Sequence, residues 1–151
     1  MLLVDDEEDL VWSLARRLRR ALVGASVEGT ARPEEALTTL AAGPVDVLVT
    51  DVRMPNVSGL ELVVGARKKW PSLPLIVVTA YPTEFMRAAP RRDGAVVYLE
   101  KPFELLNLVR QVDRAFTQGA RPWFGAEVER EMPLDLVQLF ALSNLTGALR
   151  L

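Results

Sequence analysis

Up to about Gln118 the chain alternates short β-rich runs with segments whose apolar residues fall at helical spacing, and no other feature constrains its fold as tightly. The β-rich runs are Leu2–Asp5, Ser26–Thr30, Val45–Thr50, Leu75–Ala80 and Ala95–Glu100. Near-continuous hydrophobicity of this kind suits strands buried on both faces, so we expect an α/β fold, a five-stranded parallel sheet with helices on either side. Val11, Leu14, Leu18 and Leu22 mark the first crossover helix; Ala36, Leu37 and Leu40 mark the second, with Pro33 in its first turn. Leu62, Val63, Ala66 and Trp70 mark the third, and Leu105, Leu108, Val109, Val112 and Phe116 give the last a clear apolar stripe. The fourth crossover, Thr83 to Ala89, closes at Pro90 and should be only a short stub.

Gly119 to Pro122 interrupts the last helical pattern and reads as a linker between a first domain, residues 1–118, and a smaller unit, residues 123–151. Some thirty residues seldom bury a core of their own. That unit is therefore expected to be incomplete, or to dock on the first domain or on another chain, with self-association as one outcome. The chain shows no internal repeat and no low-complexity tract.

Composition removes whole classes of function. The 151 residues include no Cys and no His, which excludes disulfides, Cys- or His-based zinc sites, Ser-His-Asp and Cys-His nucleophiles, and a histidine general base. Lys and Arg number 18 against 20 Asp and Glu, net charge -2, without the basic excess of a nucleic-acid binder. No apolar run is long enough to span a bilayer, and acids beginning at Asp5 leave no room for a secretory leader at the start, so the expected location is the cytoplasm.

Carboxylates, hydroxyls and amines must then carry any chemistry. In a parallel α/β sheet the ligand site lies outside the carboxyl ends of the strands. Here those ends hold Asp5 and Asp6 after the first strand, Asp51 after the third, Thr79 in the fourth and Lys101 after the fifth. Carboxylates brought together repel unless a cation sits among them, and Mg²⁺, which prefers oxygen ligands, is the natural candidate. A carboxylate beside Mg²⁺ can attack a phosphoryl group while a hydroxyl and an ammonium bind the remaining oxygens. Asp51, Thr79 and Lys101 have those types.

Four motifs in this order carry a resemblance: Leu2-Leu3-Val4-Asp5-Asp6-Glu7; Asp51-Val52-Arg53-Met54-Pro55-Asn56-Val57-Ser58-Gly59; Thr79-Ala80; and Tyr98-Leu99-Glu100-Lys101-Pro102-Phe103. Together they resemble the CheY-like receiver domain of two-component response regulators over roughly residues 1–118. The resemblance implies a flavodoxin-like (βα)5 fold with strand order 2-1-3-4-5. It implies that Asp51 is the phosphoacceptor for a sensor histidine kinase. Mg²⁺ would be held by Asp6 directly, Asp5 mostly through water, Asp51, and the main-chain carbonyl of Arg53. Lys101 would pair with the phosphoryl oxygens, Thr79 and Tyr98 would switch, the fourth helix, fifth strand and fifth helix would read out the change, and Lys101-Pro102 would be cis.

The chain also departs from the family's pattern. Met1 directly precedes the first strand, so either the start is trimmed or that strand is short, and the Ala88 to Arg92 stretch puts the family's common dimerisation face in doubt. Some residues have ordinary structural readings: Glu7, Glu8 and Asp9 suit a helix start, Arg16, Arg17, Arg19 and Arg20 a solvated helix face, and Trp12 and Trp70 packing. A phosphohydrolase of the haloacid-dehalogenase type would want Asp where Arg53 stands. A degenerate receiver that serves only as a phosphorylation-independent binding platform is the main alternative, and the presence of the full site set argues against it. On either receiver reading the chain turns over no metabolite.

In the tail, Phe124-Gly125, Met132 to Ser143 and Thr146 to Leu151 resemble the opening of a PATAN-type domain, which implies an interaction segment controlling a partner not identifiable from sequence. A helix-turn-helix beginning is the competing reading; only Arg150 is basic after Arg130 and no recognition helix follows.

Overall fold

The computed structural model describes residues 1–55, 59–82 and 96–118. The expected stub at Thr83 to Ala89, the linker at 119–122 and the PATAN-like stretch lie outside these residues.

Five strands form one parallel sheet in the order β2-β1-β3-β4-β5, the flavodoxin-like order that the resemblance implies. They are β1 (Leu2–Val4), β2 (Glu28–Thr30), β3 (Leu48–Asp51), β4 (Leu75–Thr79) and β5 (Val96–Glu100), with helices α1 (Glu8–Ala21), α2 (Pro33–Ala42), α3 (Gly59–Lys69) and α4 (Leu105–Gln118) among the described residues. The strands are shorter than the sequence runs because each ladder extends only where a neighbour pairs. Thus β3 begins at Leu48, opposite Leu2 and Leu75, rather than at Val45, and it takes in Asp51. The first strand has the expected shortness, three residues.

Side-chain alternation divides the core between the two faces. Leu3, Val49, Ile76 and Val78 face α1 and α4, meeting Leu14, Leu18, Leu108 and Val112. Leu2, Val4, Leu48 and Leu75 point the other way, onto Ala36 and Leu40 of α2 and Leu62 and Ala66 of α3. Burying each such leucine contributes about 1.5–3 kcal/mol. Pro33 opens α2 as expected, where its missing N–H costs nothing.

Trp12 overturns its reading as a packing residue. It is 65 % exposed, one position round α1 from Val11 and off the buried stripe of Val11, Leu14, Ala15 and Leu18. Its ring instead supports Arg16, whose guanidinium carbon is 5.4 Å from the centroid one helical turn on. Trp70 does pack, half-buried against the α2 and α3 face. Arg16, Arg17, Arg19 and Arg20 are all exposed, as expected, and Arg19 Nε donates to the Val27 carbonyl at 2.9 Å.

Candidate functional site

Two strands bring the acids together. Asp5 leaves the end of β1 and Asp51 closes β3; both are buried, at 5 % and 9 % exposure, while Asp6 faces solvent. One carboxylate oxygen from each of Asp5, Asp6 and Asp51 lies within 4.8 Å of the others. Two local turns fix the carboxylates. Glu7 N–H donates to Asp5 Oδ1 at 3.0 Å, and Arg53 N–H donates to Asp51 Oδ1 at 3.1 Å.

Lys101 reaches the cluster from the residue after β5. Its main-chain N–H donates to the Thr79 carbonyl at 2.7 Å, anchoring it to β4, and the Lys101-Pro102 bond is cis, as the resemblance implies. Its Nζ lies 2.7 Å from Asp5 Oδ2 and 2.7 Å from Asp51 Oδ2. Burial alone would lower the lysine's pKa, but the hydrogen bonds and charges of the two carboxylates outweigh it and raise the value above 10.5. The ammonium is therefore fully charged at neutral pH and offsets part of the acids' mutual repulsion.

The donor set suits a small hard cation. Three clustered carboxylates, one exposed to solvent and able to leave room for water ligands, match the coordination that Mg²⁺ favours. Arg53 places its main chain beside Asp51, two residues on, where the resemblance calls for a carbonyl ligand.

Thr79 and Tyr98 stand outside the carboxylate cluster's hydrogen bonds. The Thr79 hydroxyl, 1 % exposed, accepts the Tyr81 N–H at 3.1 Å. Tyr98, half-buried on β5, packs against the cluster of Val52 and Val77, which Leu60 and Val63 also cover. Burial pushes its phenol above 10, with the Arg67 guanidinium a smaller opposing influence. Arg67 itself is buried on α3, donates Nη1 to the Pro71 carbonyl at 2.7 Å, and is drawn down to about 10 chiefly by burial.

Two features escape the sequence reading. Arg53 lays its guanidinium over the Tyr81 ring at 4.5 Å, joining the loops that follow β3 and β4 beside the site. Their equal offsets, two residues beyond Asp51 and Thr79 on paired parallel strands, are the signal that could have shown it. The second is Gly59, which opens α3 against the strand that ends in Asp51. A Cβ there would overlap the Asp51 carbonyl oxygen and lie 2.6 Å from its carbon.

Comparison with known proteins agrees with this geometry. Residues 1–113 match the response regulator receiver domain family. Over 116 residues the chain is 36% identical to the DNA-binding transcriptional regulator NtrC of Salmonella typhimurium, covering 76% of this chain and 24% of that protein. The chain thus spans about a quarter of the NtrC relative's length. The solution structure of the apo NtrC receiver domain superposes with a TM-score of 0.65 at 32% identity, covering 78% of this chain and 93% of that one. The response regulator TrrA of Thermotoga maritima, in complex with Mg²⁺ and BeF, gives 0.63 at 31% identity over 76% and 96% of the two chains. No described helix is long and apolar enough to cross a membrane. Family match, strand order and strand-end chemistry lead to one conclusion: this chain belongs to the response regulator receiver domain family.

Proposed function

We propose that the chain takes a phosphoryl group on Asp51 from a phosphohistidine of a sensor histidine kinase and passes the resulting change to a partner through its C-terminal segment. The observation that carries this reading is the placement of Asp51 at the end of β3, 2.7 Å from Lys101 and within one cluster with Asp5 and Asp6. A carboxylate oxygen of Asp51 attacks phosphorus as the phosphorus–nitrogen bond of the donor breaks. The imidazole nitrogen keeps that electron pair, and an aspartyl-phosphate results. Asp6 directly, Asp5 largely through water, Asp51 and the Arg53 carbonyl would hold Mg²⁺, which when bound neutralises charge on the phosphoryl oxygens. Lys101 exchanges its bond to Asp51 for one to the phosphoryl group. Thr79, whose oxygen accepts from Tyr81, still has its own proton to donate.

Drawing Thr79 toward the phosphoryl group and turning Tyr98 behind it constitutes the switch, a local charge change biasing a two-state element. The chain in this reading turns over no metabolite, works in the cytoplasm, and makes no direct nucleic-acid contact of its own. Its tail, on the PATAN resemblance, is a protein-interaction segment.

Intact mass after incubation with acetyl phosphate and Mg²⁺, for the wild type beside Asp51→Asn, tests the reading. A phosphate-sized gain confined to the wild type is expected. A gain that persists in the variant moves the phosphosite. No gain in either, with no beryllofluoride-induced change in tryptophan fluorescence, leaves a binding platform independent of phosphorylation.

A further inference from the structure

At the end of the sheet opposite Asp51 lies a groove of about 570 Å³ with no part in the chemistry above. Its walls are the end of α2, the loops entering β3 and β4, and the last turns of α4, with Leu40, Pro44, Trp70, Leu73 and Phe116 as the apolar lining. A groove of this size is in the range that accommodates a large apolar ligand group.

We infer that this groove is the seat of the chain's own segment after α4, residues 119–124, with Trp123 and Phe124 as its anchors. Three observations support that occupant over any other. Phe116 lines the groove and α4 ends at Gln118, so the chain leaves the receiver at the groove's rim. From Gln118 to Trp123 an extended chain would reach about 17 Å, and an X-Pro pair such as Arg121-Pro122 favours extended backbone. Trp123 and Phe124 are the first large apolar residues after the helix, and Arg121 precedes them where Asp46 on the groove offers a carboxylate. A tether this short raises the local concentration of the segment to the millimolar range, so even a weak site fills in cis before a second copy can enter. The inference does not depend on phosphorylation, and failure of labelling at Asp51 leaves it intact.

Amide hydrogen exchange on the full chain tests it, comparing the wild type with Trp123→Ser/Phe124→Ser, whose substitutions follow the receiver's last helix in sequence. Docking predicts that exchange rises several-fold in residues 43–46 and 70–73 of the variant while β1, β3 and β4 keep their protection. It also predicts, in protein carrying 5-fluorotryptophan, that Phe116→Ser moves the ¹⁹F resonance of Trp123 to that of a solvated indole and leaves that of Trp12 in place. Unchanged exchange with an already solvated Trp123 overturns the inference. Groove protection that grows with protein concentration, accompanied by dimer in light scattering, overturns it in favour of a second copy as the occupant.

Discussion

Asp5 and Asp51, from different strands, share a single cation: Lys101 Nζ stands 2.7 Å from an oxygen of each. Removing that ammonium leaves two buried carboxylates facing one another. Lys101→Ala is expected to cost on the order of 3 kcal/mol in urea unfolding without divalent cation, the loss typical of breaking a buried pair from one side. Mg²⁺ should then stabilise the variant more than the wild type. Equal stabilisation of the two proteins by Mg²⁺ would mean that Lys101 does not balance the acid cluster.

Gly59→Ala should be far more damaging than its size suggests. The new methyl would meet the main chain of Asp51 and Val52, which cannot swing aside as a side chain can. We expect a loss of about 3 kcal/mol or more and a displaced Asp51. A melting temperature within a degree or two of wild type would show that α3 can start elsewhere.

Tyr98 offers a pH readout. Burial raises its phenol above 10, so the neutral form is favoured in the folded state. The associated stability is fully present below pH 10 and is lost as pH climbs through the raised value. Arg67, whose guanidinium burial pulls downward, acts in the opposite sense. Of the chain's 2 tyrosines, the substitution Tyr98→Phe should remove the late part of the tyrosinate absorbance rise. A late rise that survives in the variant belongs to another group.

The stack of Arg53 on Tyr81 should be measurable as coupling. At an exposed site such a pair is worth about 0.5–1 kcal/mol. A double-mutant cycle of Arg53→Ala and Tyr81→Ala, read by unfolding, is expected to return that interaction energy, and strict additivity would show the contact contributes nothing.

Trp12 and Leu108 make a contrasting pair. Trp12→Ser should shift stability by less than about 1 kcal/mol, because the exposed ring gives up little beyond its contact with Arg16. Leu108→Ala, at 0 % exposure against the sheet, should cost about 2–5 kcal/mol. Similar losses at the two sites would overturn the assignment of the α1 face.

How much of this could be read from sequence follows the range of the forces involved. Periodicity shows which face of a helix is apolar, so Leu14, Leu18, Leu108 and Val112 were legible as core. It does not say where the stripe ends, and Trp12, large and apolar, was assigned inward although it sits just beyond the buried edge. The acids at the strand ends and Lys101 were legible because parallel topology sends carboxyl ends to one side of the sheet. That Lys101 bridges Asp5 as well as Asp51 was not, since it depends on how far apart β1, β3 and β5 finally lie. Arg53 on Tyr81 was missed for the same reason, being a contact between loops rather than a pattern within one.

Lys101 bonds to Asp5 across 96 positions of sequence and to Asp51 across 50. During synthesis, therefore, the acids emerge long before their counter-ion, and a chain still lacking β5 has its carboxylates without the lysine that orders them. The cluster's charge balance thus waits for the fifth strand, and a bridged pair of carboxylates reports that the whole sheet has assembled.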